Sequence, residues 1–192
     1  MIEPEARTVI ENMGTAAREN RLKAAAYFME HPEQMGALLS MVFDTGFAYH
    51  YKAAWVLEFV LEKELSRILP FIDFFTQSLP KLTLDSALRP IAKICQWLGK
   101  SYVIQKKPLF TLQISQQNCI EIVHSSFDWM IGDYRVATQV YTMDTLYYFG
   151  QLPGEDFNWI HAALKNIILK NIYSGSFGYQ SHGKKILQLL KA

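Results

Sequence analysis

The chain has 192 residues, with 19 Lys and Arg against 18 Asp and Glu, two Cys, and half of its residues apolar. That balance excludes a disordered chain, which is poor in apolar residues and rich in net charge. Two cysteines are too few for a disulfide framework and fit a reducing, cytoplasmic setting. A net charge of +1 argues against a general nucleic-acid binder.

The length suits one domain or one continuous array, and we expect a single domain over 1–192 with 1–30 as an N-terminal helical cap. The charge is uneven along it. Residues 1–96 carry 10 basic and 12 acidic side chains, residues 97–192 carry 9 and 6, and from Phe157 onward there are five Lys and no acid. A basic end attracts an acidic partner or nucleic acid. The plainer account is that it solvates a terminal helix pair. The start lacks the basic and apolar regions of a signal peptide. The apolar run 53–60 is interrupted by Glu58 and is too short to span a bilayer, so no membrane association is expected.

Helical periodicity recurs along the chain. Leu22, Ala25, Ala26 and Met29 follow i, i+3, i+4, i+7. Met35, Leu38, Leu39 and Val42 repeat it after His31 and Pro32, a residue suited to a first helical turn. Ala53, Val56, Leu57, Val60 and Leu61 form the next stripe, and Ile68, Phe71, Ile72, Phe75 and Leu79 another. Leu88, Ile91, Ala92, Cys95 and Leu98 follow, with Gly99 where a helix would end. Then come Ile120, Val123, Phe127, Met130 and Ile131; Val136, Ala137, Val140 and Met143; Ile160, Ala163, Leu164, Ile167 and Ile168; and Ile186, Leu189 and Leu190. Extended structure has room only in 102–114, where Pro108 interrupts it. The reading is all-α, with eight or nine helices joined by tight turns and one long connection over 100–115. The segment 105–110 in that connection reads as a partner contact or, preferably, a folded-back plug.

The helices pair as hairpins: 33–43 with 47–64, 66–79 with 84–99, 116–131 with 134–149, and 155–173 with 178–191. The second helices open with a cation, Lys52, Arg89 and Arg135, spaced 37 and 46 residues apart, and small residues follow closely. His182 and Lys184 occupy the corresponding place in the fourth pair, and Asp44, Asp85 and Asp133 sit at or just before the second-helix starts. This pattern resembles a HEAT or armadillo helical repeat over 30–192. The resemblance implies a right-handed α-solenoid of about four antiparallel pairs, with the cations in a ladder along the inter-helix turns. The alternative is an irregular helical bundle.

Catalytic signatures are thin. The segment 178–185 satisfies G-x-x-x-x-G-K but ends on Lys185, so the hydroxyl that would hold Mg²⁺ is missing and no strand precedes it. An anion at that helix start, with Lys184 and Lys185, is a weaker reading. Glu121 and His124 form one Glu-x-x-His, where a helix-bundle di-metal site needs two and further Glu. Cys119 opens a helix, where a dipole lowers a thiol pKa. We therefore expect no metal, no cofactor and no catalytic residue. Trp55, Trp97 and Trp129 fall off their stripes and are candidate exposed anchors, although packing against a further helix layer explains them equally.

The leading expectation is a non-enzymatic module that binds a protein or peptide on an extended surface, as repeat arrays do, along the ridge of second-helix starts, through Tyr51, Lys52, Trp55, Arg89, Trp97 and Arg135. The competing account has these cations bonded only to neighbouring Asp and turn carbonyls. Some helical-repeat proteins are DNA glycosylases for alkylated bases. That likeness implies nucleic-acid binding or base repair through Asp128, Trp129, Lys184 and Lys185, although the local motif around Asp128 and Trp129 departs from the pattern. A small-molecule-binding bundle is the third reading.

Overall fold

The protein is described from a computed structural model over residues 4–173 and 175–191. Eleven α-helices occur among the described residues: α1 (Pro4–Glu11), α2 (Arg18–Glu30), α3 (Met35–Phe43), α4 (His50–Lys63), α5 (Ile72–Ser78), α6 (Asp85–Gly99), α7 (Pro108–Gln113), α8 (Gln116–Ile131), α9 (Val136–Phe149), α10 (Ile160–Asn171) and α11 (Phe177–Leu189). Among those residues there is no strand, and no helix is long and apolar enough to cross a membrane. The all-α reading holds. The chain divides into two compact units, Met1–Ile94 and Cys95–Ala192, and the boundary falls inside α6.

In the first unit the apolar periodicity translates directly into burial. Leu38, Leu39 and Val42 of α3, Ala53, Val56, Leu57 and Val60 of α4, and Leu88 and Ile91 of α6 are all fully buried. Pro32 opens a 3-10 turn, Pro32–Gln34, that leads into α3, where its missing N–H costs nothing. The stripe 68–79 is two elements rather than one helix. Pro70 lies in a 3-10 stretch, Leu65–Phe71, before α5 begins, in keeping with the weakening of an α-helical hydrogen-bond ladder by a proline ring.

Two expectations need correction. The connection 100–115, expected as one long loop, is largely helical. It consists of a π-helical turn, Lys100–Ile104, followed by α7. Both are too short to display a periodic stripe, and Lys106 at φ 46° breaks the path between them. Phe110 within it is buried, while Leu109 is exposed. Gly99 is the last residue of α6, as its place in the sequence suggested, and its backbone stays right-handed helical and feeds the π turn. A Cβ there would stand 3.0 Å from the Phe149 ring, so the glycine permits close approach of α9.

The second correction concerns α2. Its core face is Ala24, Ala25 and Phe28. Leu22 is 40 % exposed, and it lines an open cleft with Ala25, Ala26 and Met29. The apolar stripe seen in the sequence is therefore largely outside the core.

In the second unit the helix ends carry explicit chemistry. Ser115 caps α8: its hydroxyl accepts from the Asn118 N–H at 3.2 Å, and Asn118 Oδ1 accepts from the Ser115 N–H at 2.9 Å. That reciprocal box satisfies two otherwise orphaned donors. Ser176 caps α11 by accepting from the Tyr179 N–H. Gly150 lets α10 approach, because a Cβ there would clash with the His161 ring. His161 stacks on Tyr147 and bonds its carbonyl at 2.9 Å.

Candidate functional site: the aromatic and cationic face of α4

α4 is buried on most of its circumference, and the remaining strip carries Tyr51, Trp55 and Glu62. Positions 51, 55 and 62 lie close together at 3.6 residues per turn. The Tyr51 and Trp55 rings meet edge to face at 5.0 Å, an arrangement favoured by the ring quadrupoles. Trp55 is half-buried and its indole N–H donates to the Ser86 carbonyl in the first turn of α6 at 2.8 Å. That bond orients the indole.

Cations flank the strip on both sides. From α2, Arg18 and Arg21 place their guanidinium carbons 5.2 and 5.0 Å from the centre of the Phe59 ring, and Arg21 also lies 6.0 Å from Trp55. These are cation–π distances. Arg21 Nε is buried and has no hydrogen-bond partner. From α6, Arg89 and Lys93 converge on Glu58, at 2.6 Å and 2.9 Å. Glu58 is 4 % exposed, so its charge requires these partners, and two cations share one carboxylate.

Of the residues singled out in the sequence, the fold brings Tyr51, Trp55 and Arg89 onto this one face. Lys52 is elsewhere: its ammonium donates to the carbonyls of Met13 at 2.6 Å and Glu11 at 3.4 Å and lies over the Tyr49 ring. It closes the α1–α2 connection and is a structural clasp. Trp97 is half-buried on α6, and Arg135 is exposed at the start of α9, both in the second unit. Asp44 accepts from the Gly46 N–H in its own turn, and Arg89 pairs with Glu58 rather than with an Asp.

Trp129 corrects the expectation of an exposed anchor. It is 3 % exposed in the core of the second unit, while Asp128 beside it is exposed. Consecutive helical residues diverge by about 100°, so this pair does not present an acid and a ring to one cleft. Lys184 and Lys185 are exposed on α11, more than a turn beyond its capped start. They are therefore not at the N–H groups that would hold an anion. Cys119 is buried, and burial pushes its thiol up to about 12. Desolvation outweighs any lowering from the helix end. Burial raises the Cys95 thiol as well.

Sequence reasoning missed Arg18, Arg21 and Glu58 as members of the face, because their association depends on helices far apart in the chain. It also missed Asp144 of the second unit. That carboxylate accepts from Gln96 Nε2 at 2.6 Å and bonds His182 Nε2 at 2.9 Å, so it ties α9 to α6 and α11. Only His182 carried a signal, as the polar residue at the expected second-helix position. Among the described residues no three His, Cys, Asp or Glu side chains cluster as a metal site. Comparison of the chain with protein-family models, curated proteins and solved structures gives no match.

Proposed function

We propose that the protein is a protein- or peptide-binding helical module, on a HEAT-like reading of its hairpins, and that its contact surface is the α2–α4–α6 face of the first unit. The observation that carries this reading is the oriented Tyr51–Trp55 pair, with Arg18 and Arg21, which form no ion pair among the described residues, on one flank and the Arg89–Glu58–Lys93 network on the other. Aromatic and arginine side chains supply most of the binding energy at protein interfaces. The ion-pair network holds the second flank rigid, which lowers the ordering cost of association. The burial of Trp129 and the absence of a signature motif favour a binding role over base repair.

The test is partner capture from source-cell lysate with the tagged chain, with and without nuclease, for the wild type and the Trp55→Ala/Arg21→Ala variant. A stoichiometric protein that resists nuclease and is lost on the variant is expected, while circular dichroism and melting stay close to wild type. Recovery of nuclease-sensitive material alone would replace this reading with nucleic-acid binding. Capture that the variant leaves unchanged would move the contact off this face.

A further inference from the structure

We infer that this face takes a peptide segment with an apolar side chain flanked by carboxylates, the apolar group entering the cleft between α2 and α4. The inference rests on the peptide-binding reading above and specifies the class of partner.

The cleft has a volume of about 290 Å³ and its walls include Leu22, Ala26, Met29 and Phe59. That space accommodates one large aliphatic or aromatic side chain. Leu22 is 40 % exposed although it is apolar and helical, and burying such a group against a partner is favourable in proportion to the area removed from water. Phe59 joins the cleft to the charged flank, since the same ring lies under Arg18 and Arg21.

The charge complementarity is local. Neither Arg18 nor Arg21 forms an ion pair among the described residues, and Arg21 Nε is both buried and unpartnered. A guanidinium held over a ring has lost conformational freedom and still carries N–H donors that suit a carboxylate. Glu58 is already engaged by Arg89 and Lys93. Glu30 and Lys63, at the cleft, balance each other in charge. The first unit carries 10 basic and 12 acidic side chains overall, so long-range attraction does not bring an acidic partner here. Recognition comes from the placement of two arginines beside an apolar opening, which confers register and selectivity more than bulk affinity.

The experiment is a selection of random dodecapeptides displayed on phage against the immobilised full chain. Enriched peptides are resynthesised and measured by fluorescence anisotropy. Binding is compared with two variants whose fold is checked by circular dichroism: Arg18→Ala/Arg21→Ala, which removes the charge, and Ala26→Trp, which fills the cleft. Enriched peptides with Glu or Asp flanking Leu, Met or Phe are expected. Each variant should weaken their binding at least tenfold, and so should Glu→Gln changes in the peptide. Enriched peptides without acids, or with binding unchanged by either variant, would overturn the inference and leave the peptide-binding reading standing on another face. No enriched peptide at all would overturn both.

Discussion

The two compact units build their cores from different materials. Among the described residues, 31 apolar side chains are buried in the first unit and 20 in the second, while buried polar side chains number five and seven. The second unit's polar set is dominated by hydroxyls: Ser101, Ser125, Ser126, Thr138, Thr142 and Thr145. Thr142 and Thr145 return their hydrogens to the carbonyls of Gln139 and Tyr141 within α9, at 2.7 and 2.8 Å. A hydroxyl that bonds its own helix can face a core at modest cost. Ser125, Ser126 and Thr138 find no partner, and an unmade bond in a dry interior is expensive. The first unit's buried polar set is mixed, Gln34, His50, Glu58, Thr76 and Ser78, and holds the buried carboxylate of Glu58, which Arg89 and Lys93 pair. The contrast places a more apolar core under the proposed binding face and a hydroxyl-rich core in the other unit.

The comparison can be broken first at Trp129. Replacing a large, fully packed ring by Ala costs on the order of 3–5 kcal/mol. Trp129→Ala should therefore strip hydrogen-exchange protection from α8 and α9 while α3 and α4 keep theirs. Loss of protection in both sets together would show that the two cores do not respond separately.

The next largest effect should come from Glu58→Ala. Breaking a buried ion pair costs about 3–5 kcal/mol. Arg89 and Lys93 keep 30 % and 23 % of their side chains in water, so about 2–3 kcal/mol is expected here after solvent screening. Denaturant unfolding reads it, and a loss below about 1 kcal/mol would mean that the network does not hold the flank.

Alkaline pH sharpens the second unit's side of the comparison. The Cys119 thiol moves from its ordinary 9.0 to about 12 on folding. Above pH 9 the unfolded chain loses that proton while the folded chain keeps it, so stability is full below pH 9 and falls as pH rises toward 12. The slope is about 1.4 kcal/mol per pH unit from this thiol. Urea titrations of the wild type and Cys119→Ala between pH 8.5 and 10.5 should diverge with that sign, and parallel curves would contradict it. The smallest effect is a gain: Ser126→Ala and Thr138→Val remove unpartnered hydroxyls and should each raise stability by up to about 1 kcal/mol. Unchanged or lowered melting would show that these hydroxyls are satisfied.

The same contrast explains what the sequence made legible. In α3, α4 and α6 the apolar stripe and the buried face coincide, because the core there is aliphatic. In α9 they do not. The apolar stripe held Val136, Ala137, Val140 and Met143, yet the buried set is Thr138, Thr142, Met143, Thr145, Leu146 and Phe149. Periodicity counts threonine as polar and cannot see a hydroxyl folded back on its own helix. In α8 the same substitution of serines for aliphatics leaves Ile131 66 % exposed and Trp129 inside. The candidate face was half legible. Tyr51, Trp55 and Arg89 stood out as aromatic or cationic residues near second-helix starts. Arg18 and Arg21 belong to it only because α2 packs on α4, and no local pattern records that packing.

The central claim is that the first unit's α2–α4–α6 face contacts a protein. The most direct measurement installs a photoreactive amino acid at position 26, within the cleft, and separately at the exposed position 165 of α10. Each full-length chain is irradiated in nuclease-treated source-cell lysate, and the adducts are identified by mass spectrometry. The account predicts one dominant protein adduct from position 26 and none in common from position 165. Adducts from position 165 alone, or none from position 26, would contradict it.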